Sequence, residues 1–454
     1  MMAMALSEAA DVLSADRTGD DVRFIGVSTD TRSLRNGNLF VALQGPNFDG
    51  HDYIGHAEAR GASAAAVSRK VSNALPLLRV ADTRRALGEL AAHWRHRFDI
   101  PVVAVTGSNG KTTVKEMVAA ILRRQGNPLV TAGNFNNDIG LPLTLMRLGD
   151  EHRHAVLEMG ANHPGEIGYL ADIAAPDIGL VNNAAPAHLE GFGSLEGVAR
   201  AKGELFERLA ADGTAIINAD DRFAPLWREL AASRRVIDFG LEKPAMVSGR
   251  WQGDAAGSRV VLDMPSGSFD VQLKLPGRHN VMNALAAAAV AEALAVPPEQ
   301  IAAGLSSLRP VSGRLQPQAG LRGMHLIDDT YNANPASLAA ALDVLAASTG
   351  ERWLVLGDMG ELGAGSEDLH RQAGEAAHAA GIERLYAVGR LAALAAEGFG
   401  AGGHAFAGMD ELIDALREQA RPGVTALVKG SRRMRMERAV QALAAQAAPV
   451  GEGC

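Results

Sequence analysis

The stretch Val102-Val-Ala-Val-Thr-Gly-Ser-Asn-Gly-Lys-Thr-Thr113 passes from an apolar run through two glycines into a lysine and two hydroxyl side chains. Residues 100–105 are typical of a central strand in a parallel sheet, and the residues after Thr113 repeat with helical periodicity. Gly107 and Gly110 allow a tight turn whose N–H groups point at an anion near the start of that helix. The stretch therefore predicts a strand, a loop and a helix that bind nucleotide phosphates.

The side chains of this loop indicate how the nucleotide is bound. We expect Lys111 to contact the β- and γ-phosphates and Thr112 to contact a bound Mg²⁺. The loop departs from the usual GxxxxGK[ST] spacing, because Val105 stands where the first glycine is expected. A chance match in an ordinary loop is the alternative, and the strand before and the helix after it argue against that interpretation. The whole predicted phosphate loop comprises Gly107, Ser108, Asn109, Gly110, Lys111, Thr112 and Thr113.

Composition excludes several classes of protein. The 454 residues carry 44 basic and 52 acidic side chains, for a net charge of −8, so there is no broad positive surface for a nucleic acid. The only cysteine is Cys454, which rules out an intrachain disulfide and fits a cytoplasmic location. We expect no secretory signal, because the N-terminal residues include early acidic side chains and lack a basic segment followed by an apolar one. We expect no membrane insertion, because the longest aliphatic stretch, Ala284 to Val296, is too short to span a bilayer and predicts a buried helix.

The chain divides into three predicted α/β domains. Residues 1–83 contain a short strand between glycine-rich turns and form a small N-terminal domain. Residues 84–310 alternate strands and helices and predict a central ATPase domain with a parallel sheet around the phosphate loop. Residues 311–454 repeat this alternation and predict a C-terminal Rossmann-like domain. The predicted strands lie in IPVVAVTG, HAVLEMGA, DIGLVNNAA and GTAIINADD of the central domain and in MHLIDD, RWLVLGD, ERLYAVG and VTALVKG of the last.

Polar side chains follow four of the central strands. They are Thr106 with Lys111, then Glu158, then Asn182 with Asn183, then Asn218 with Asp220 and Asp221. Any one of them is more simply explained by turn chemistry. Because ligands bind beyond the carboxyl ends of parallel strands, the four together predict one crevice.

A polyphosphate needs a metal ion, and Mg²⁺ prefers oxygen ligands. Thr112 and Glu158 supply a hydroxyl and a carboxylate suited to this. His188 follows the next strand and can serve a second metal directly or through water, although a surface histidine is the simpler interpretation of that residue alone. Lys202 lies just downstream on a helix, where a surface lysine is the alternative.

With these residues assembled, the sequence resembles the Mur ligases of bacterial cell-wall synthesis over about residues 24–440. The motifs that carry the resemblance are STDTRSLRNGNLFVALQGPNFDGHDYI, TGSNGKTTVKE, GNFNNDIGLPLTL, LEMGANHPGEI, NNAAPAHLEGFGS, LPGRHNVMNALAA, SGRL, IDDTYNANPASLAAAL, LGDMGELG and KGSRRMRME. The resemblance implies an ATP- and Mg²⁺-dependent ligase that forms an amide bond. Within the family, the signature Asp328–Ser337 favours the last step, in which D-alanyl-D-alanine is joined to a UDP-N-acetylmuramoyl-tripeptide, and a monomer is expected.

The resemblance also implies roles for individual residues. It assigns catalysis to Lys111, Glu158, His188 and Lys202, with Thr112, Glu158, His188 and a carbamylated Lys202 at the metal sites. It assigns nucleotide contacts outside the phosphate loop to His279, Asn280, Asn283, Arg314 and Asp329. It assigns the uridine diphosphate end of the donor to Ser28, Thr31, Arg32, Gln44 and Gly45, the donor peptide to Asn134 and Asn137, and the acceptor to Asn332 and Asn334.

Other interpretations remain at this stage. Within the same enzyme class they are the Mur ligase that adds the third amino acid and a folylpolyglutamate synthase, which shares the ATP-binding middle. From a different class, a regulatory ATPase would hydrolyse ATP without a carboxylate substrate, and the nucleotide-sugar signature of the first domain argues against it. The segment Lys429-Gly-Ser-Arg432 has no assigned role, and an exposed helix start is an equally good interpretation of it.

Overall fold

The computed structural model describes residues 2–72, 74–186, 189–254 and 257–445. Its N-terminal region forms a five-stranded sheet in the order β2-β9-β8-β5-β4, in which only the β2–β9 pair is antiparallel. The elements of this region are β1 (Met4–Ala5), α1 (Leu6–Leu13), β2 (Asp16–Thr18), β3 (Arg23–Phe24), β4 (Val27–Ser28), β5 (Leu39–Val41), β6 (Gln44–Gly45), β7 (Phe48–Asp49), α2 (Ile54–Ala59), β8 (Ala64–Val67) and β9 (Leu77–Arg79).

The central region is built on a six-stranded, fully parallel sheet in the order β11-β12-β10-β13-β14-β15. The phosphate-loop strand therefore lies inside the sheet with neighbours on both sides. The elements are α3 (Thr83–Arg95), β10 (Val102–Thr106), α4 (Lys111–Leu122), β11 (Asn127–Val130), α5 (Gly140–Leu145), β12 (His152–Glu158), α6 (Glu166–Ala174), β13 (Ile178–Val181), α7 (Leu189–Phe192), α8 (Leu195–Glu207), β14 (Thr214–Asn218), α9 (Ala224–Ala231) and β15 (Arg235–Phe239).

A three-stranded antiparallel sheet and two helices complete the central region, and this sheet was not predicted. They are β16 (Ser248–Asp254), β17 (Gly257–Met264), β18 (Gly267–Leu273), α10 (Arg278–Ala293) and α11 (Pro298–Ser307). Residues 284–291 of α10 are buried on every side of the helix, as the aliphatic sequence predicted, because α10 packs between α4, the parallel sheet and the small sheet. This packing fixes the start of α10 beside the phosphate loop.

The C-terminal region contains a second six-stranded sheet in the order β19-β20-β24-β21-β22-β23, with only the edge strand β19 antiparallel. Helices α12, α13 and α14 share a core on one face, and α15 and α16 share a core on the other. The elements are β19 (Gln316–Ala319), β20 (His325–Asp329), α12 (Pro335–Ala346), β21 (Glu351–Gly357), α13 (Ser366–Ala379), β22 (Arg384–Val388), α14 (Ala392–Phe399), β23 (Gly403–Phe406), α15 (Met409–Gln419), β24 (Val424–Lys429) and α16 (Glu437–Leu443).

The predicted α/β class and the eight strands predicted in the two larger regions are confirmed. Four further strands of the large sheets, β11, β15, β19 and β23, were not predicted. All four lie at sheet edges and carry fewer buried apolar residues than the inner strands. No helix in the described part of the chain is long and apolar enough to cross a membrane.

Candidate active site

A cavity of about 1110 Å³ opens at the carboxyl ends of the central parallel strands and extends to the C-terminal sheet. The prediction that the strand ends converge on one crevice is confirmed, since Glu158, Asn182, Asn183, Asn218, Asp220 and Asp221 all line it. Other predicted residues at its wall are Gly107, Ser108, Asn109, Gly110, Lys111, Thr112, Thr113, Asn134, Asn137, Lys202, His279, Asn280, Asn283, Arg314, Asp329, Asn332 and Asn334.

The phosphate loop connects β10 to α4, and its two glycines have positive φ angles. Gly107 has φ of 151° and Gly110 has φ of 80°, both in the region that favours glycine. A Cβ atom at Gly110 would lie 2.4 Å from Asn283 Oδ1 and 2.6 Å from Asn182 Nδ2. The loop therefore has no room for a side chain at this position, and α4 begins directly after it with its N-terminus facing the cavity.

Side chains after the neighbouring strand hold the loop in this shape. The Asn109 N–H donates to Asn183 Oδ1 at 2.9 Å, and Asn182 Nδ2 donates to the Asn109 carbonyl at 3.0 Å. Ser108 Oγ donates to the Ala185 carbonyl at 3.0 Å and accepts from the Ala185 N–H at 2.9 Å. These bonds within the protein fix the shape of the loop that is predicted to bind phosphate.

Lys111 points back over the loop. Its Nζ donates to the Gly107 carbonyl at 2.8 Å. Burial lowers the pKa of Lys111, the negative charge of Glu158 opposes that effect, and Arg314 lowers the pKa further. A phosphate group beside Lys111 would stabilise its charged form, so this position suits the predicted contact with a polyphosphate.

Thr112 and Glu158 form the candidate metal position. Thr112 Oγ1 donates to Glu158 Oε2 at 2.8 Å, and Asn136 Nδ2 donates to Glu158 Oε1 at 2.8 Å, with Glu158 only 2% exposed. No group of three or more His, Cys, Asp and Glu side chains in the described ranges is arranged to hold a metal. One carboxylate and one hydroxyl nevertheless fit Mg²⁺, which keeps several waters and is completed by substrate phosphates.

Lys202 lies on α8 and is buried at the cavity wall rather than exposed. Its side chain is also 5.9 Å from the centroid of the Phe192 ring. Burial, together with the nearby charge of Lys111, lowers the pKa of Lys202 to about 7. The surface-lysine interpretation is therefore wrong for this residue. His188, which was also predicted to contact a metal, lies outside the described residues.

The start of α10 forms the next part of the wall. Asn283 Oδ1 accepts from Asn182 Nδ2 at 2.9 Å, and Asn280 Nδ2 donates to the Pro276 carbonyl at 2.8 Å. Burial in the cavity wall and the charge of Lys429 lower the pKa of His279 to about 4, so its imidazole is neutral at pH 7. A neutral ring beside amide groups is compatible with contact to a nucleotide base.

The C-terminal region contributes Arg314 and Asp329. Arg314 Nη2 donates to Thr112 Oγ1 at 2.9 Å, and its guanidinium lies 4.2 Å from the centroid of the Tyr331 ring. Asp329 Oδ1 accepts from the Leu315 N–H at 3.1 Å, and burial raises the pKa of Asp329 while Lys429 opposes that shift. The two predicted residues thus lie on the side of the cavity that faces the phosphate loop.

Three of the four asparagines predicted to contact the substrates have identifiable side-chain partners. Asn137 Oδ1 accepts from the Gly140 N–H at 2.9 Å, and Asn332 Oδ1 accepts from the Ala333 N–H at 2.9 Å. Asn334 is the N-cap of α12 in a reciprocal capping box, and its Nδ2 also donates to Asn109 Oδ1 at 2.8 Å. Asn134 is exposed at the cavity wall.

The structure keeps the five predicted uridine-diphosphate residues apart from this cavity. None of the described residues at its wall is Ser28, Thr31, Arg32, Gln44 or Gly45. Ser28 is buried and donates through Oγ to the Asp30 carbonyl at 3.0 Å, whereas Arg32 is exposed and paired with Asp30. Their role at the far end of a long donor stays a prediction.

Several residues at the wall were not predicted from the sequence, among them Arg84, Asn136, Tyr169 and Lys429. Asn136 holds Glu158, and only its position next to Asn137 could have indicated this. Arg84 and Tyr169 lie at the end of the cavity nearest the N-terminal region, where Arg84 Nε is 3.2 Å from Asp138 Oδ2. The interpretation of Lys429–Arg432 as an exposed helix start is wrong for Lys429, which ends β24 with 2% exposure, whereas a short helix does begin at the exposed Arg432.

Sequence models of one family match three parts of the chain. They are the Mur ligase family catalytic domain at residues 23–95, the Mur ligase middle domain at residues 105–291 and the Mur ligase glutamate ligase domain at residues 313–432. The UDP-N-acetylmuramoyl-tripeptide–D-alanyl-D-alanine ligase of Escherichia coli is 49% identical over 98% of this chain and 99% of its own. The ligase of the same name from Bacillus subtilis is 35% identical over 92% of this chain and 93% of its own.

Solved structures of MurF proteins are similar to this chain over most of its length. MurF from Acinetobacter baumannii has a TM-score of 0.92 with 36% identity, and covers 97% of this chain and 98% of its own. MurF ligase from Thermotoga maritima, crystallised in complex with ADP, has a TM-score of 0.81 with 29% identity, covering 92% of this chain and 96% of its own. The phosphate loop, the convergent cavity and these similarities lead to one conclusion: this chain belongs to the Mur ligase family.

Proposed function

We propose that the chain is an ATP-dependent ligase that joins D-alanyl-D-alanine to a UDP-N-acetylmuramoyl-tripeptide. The observation that carries this proposal is a phosphate loop, held in shape by hydrogen bonds, at the wall of one large cavity, in a chain that is 49% identical over nearly its full length to a ligase of that name. The product is the pentapeptide precursor of peptidoglycan. We further propose that the enzyme is cytoplasmic and monomeric. Residues 1–83 would bind the UDP end of the donor, residues 84–310 would bind ATP, and residues 311–454 would bind the acceptor.

The chemistry follows from the weakness of a carboxylate as an electrophile. The terminal carboxylate of the donor attacks the γ-phosphorus of ATP, the bond to ADP breaks, and an acyl phosphate forms. The amine of D-alanyl-D-alanine then attacks the acyl carbon, loses a proton, and inorganic phosphate leaves as the C–O bond breaks. In this scheme Lys111 and the loop N–H groups stabilise charge on the transferring phosphoryl group, and positioning supplies most of the remaining rate.

Oxygen-18 in both oxygens of the donor's terminal carboxylate tests the acyl phosphate. One labelled oxygen forms the new bond to phosphorus and leaves with it, and the other stays in the amide. We therefore expect each released inorganic phosphate to contain one labelled oxygen, measured by the isotope shift in its ³¹P NMR signal. Unlabelled phosphate from a reaction that has made amide would rule out this intermediate.

We propose that the enzyme uses Mg²⁺ held by Thr112 and Glu158, with Lys202 as a further ligand once it is carbamylated. The support is the hydroxyl and carboxylate 2.8 Å apart, directly beside the phosphate loop. A magnesium ion bound there supplies positive charge that offsets the charge of the polyphosphate. Asn136 orients Glu158 from its other side, which leaves one oxygen of the carboxylate facing Thr112.

Glu158→Gln should raise the Mg²⁺ concentration needed for half-maximal rate by at least about tenfold, because it removes the one carboxylate of this position. The side chain keeps its size, so the cavity is preserved. The measurement is ligation rate against Mg²⁺ concentration, together with Mn²⁺ binding followed by electron paramagnetic resonance. Glu196→Gln, on the exposed face of α8, serves as the matched control. An unchanged metal requirement and unchanged Mn²⁺ binding would remove Glu158 from the metal site.

The proposed reaction is tested most directly by ADP release with donor alone, acceptor alone and both together. We expect sustained ADP release only with both, and in amounts equal to the amide formed. D-alanyl-D-alanine, meso-diaminopimelate, L-lysine and glutamate are compared as acceptors. Turnover with one of the last three instead of the dipeptide would assign the chain to another step of the family or to a folylpolyglutamate synthase, and ADP release without donor would indicate a plain ATPase.

A further inference from the structure

Lys429 occupies a central place in the C-terminal sheet. It is the last residue of β24 and pairs in register with Asp329 on β20 and with Leu356 on β21. The helices that follow β20 and β21 pack on one face of the sheet, and the helix that follows β24 packs on the other. Open parallel sheets bind ligands in the crevice at the point where the connecting helices change from one face of the sheet to the other. Lys429 ends a strand at this point and lies at the cavity wall.

The ammonium group of Lys429 makes two bonds to β20 and the loop after it. Nζ lies 2.5 Å from Asp329 Oδ2 and donates to the Asn332 carbonyl at 3.0 Å. The side chain is almost fully buried. A buried ion pair is weak support for stability, because desolvation offsets much of its Coulomb attraction, and apolar residues of similar volume often do as well. Stability is therefore a weak explanation for a buried lysine at this position, and we consider a positioning role.

From Lys429, one chain of contacts leads through Asp329 to the far end of the phosphate loop. Asp329 uses its other oxygen to accept from the Leu315 N–H at 3.1 Å. The residue before Leu315 is Arg314, whose Nη2 donates to Thr112 Oγ1 at 2.9 Å. The carboxylate held by Lys429 thus fixes the backbone from which Arg314 reaches the helix end of the phosphate loop.

The second chain of contacts runs through the loop after β20. Lys429 holds the Asn332 carbonyl, and two residues later Asn334 Nδ2 donates to Asn109 Oδ1 at 2.8 Å. Asn109 lies inside the phosphate loop, and its backbone is fixed by Asn183. One ammonium group therefore supports two hydrogen bonds that join the described part of the C-terminal region to the phosphate loop, Arg314 to Thr112 and Asn334 to Asn109.

We propose that Lys429 is a positioning residue that holds the C-terminal region in register with Asn109 and Thr112 of the phosphate loop. This inference rests on the proposed function, because the acceptor must meet the acyl phosphate formed at that loop. Lys429 acts through Asp329 and Asn332 and does not itself touch the reacting atoms. Misplacing a reacting group by about 1 Å costs on the order of 100-fold in rate, so the effect of the lysine falls on kcat.

The test is a double-mutant cycle between Lys429→Met and Asn334→Ser. Serine keeps the N-cap of α12 but lacks the amide that reaches Asn109, so the cycle isolates that one contact. We expect Lys429→Met to lower kcat about 100-fold with little change in the KM for ATP, and Lys429→Arg to recover part of the loss. Because both substitutions break the same chain of contacts, their effects on kcat should overlap. Adding Asn334→Ser to Lys429→Met should lower kcat by a much smaller factor than Asn334→Ser does in the wild-type enzyme.

Each outcome bears on the inference. Losses that multiply independently would show that Lys429 does not act through Asn334, which contradicts the proposal. A Lys429→Met variant with lower thermal stability but unchanged kcat would show that the lysine only stabilises the sheet. If Lys429→Met does not accumulate as folded protein, the same cycle is run with Lys429→Arg, which keeps the charge. Wild-type enzyme that forms no amide from the two substrates contradicts the proposed function, whereas multiplicative losses in an active enzyme contradict only the role of Lys429.

Discussion

Replacing Lys111 with alanine should lower the rate of ligation by on the order of 100-fold or more while the fold stays intact. The side chain lies at the start of α4, where its ammonium group already bonds to the Gly107 carbonyl of the phosphate loop. It gains its main partner when charge develops on the transferring phosphoryl group, and losing one such contact costs about 2.7–4 kcal/mol of transition-state stabilisation. The measurement is kcat with saturating ATP, donor and acceptor, together with the melting temperature.

The matched control for this experiment is Lys274→Ala. Lys274 is exposed, follows β18 and does not line the cavity, so its loss should leave kcat unchanged. Lys111→Met adds a test of the charge alone, because it keeps most of the side-chain volume. Turnover close to wild type in Lys111→Ala would overturn the assignment of the phosphate loop.

The central region could be predicted from sequence because local and global signals agree there. An apolar run, two glycines and a helical pattern lie within a few residues of each other, and the structure shows why the second glycine is required. Any Cβ at Gly110 would collide with Asn182 and Asn283. The polar residues after each strand were also informative as a set, since parallel strands place their carboxyl ends at one edge of a sheet.

Contacts between distant parts of the chain could not be predicted in this way. The assignment of Asn334 to the acceptor stays a prediction, but the sequence did not indicate that its side chain caps α12 and bonds to Asn109, 225 residues away. Lys429 and Asp329 are 100 residues apart in sequence, and only the pairing of β20 with β24 brings them together. Sequence periodicity reports which face of an element is buried, but it contains no information about which element packs against it.

Removing Lys202 should reduce activity nearly as much as removing Lys111, and small carboxylates should restore part of it. The side chain is 4% exposed, and the positive charge of Lys111 is close enough to contribute to the lowering of its pKa to about 7. No carboxylate in the described part of the chain forms an ion pair with Lys202. A buried ammonium group beside another cation, at a wall that also carries Thr112 and Glu158, is unfavourable for binding a metal.

The proposed carbamylation would resolve this conflict, because the neutral amine would add to CO₂, release a proton and become an anion. The lowered pKa supports that reaction, since near pH 7 a large fraction of the lysine is in the reactive neutral form. Lys202→Ala should therefore be almost inactive, and formate or acetate should raise its rate by filling the space that the proposed carbamate would occupy. Arg200→Ala, on the exposed face of the same helix, should be fully active and unaffected by these anions. Full activity of Lys202→Ala without added carboxylate would exclude this lysine from the metal site, whereas an inactive variant that no carboxylate restores would show that it acts as an ammonium group.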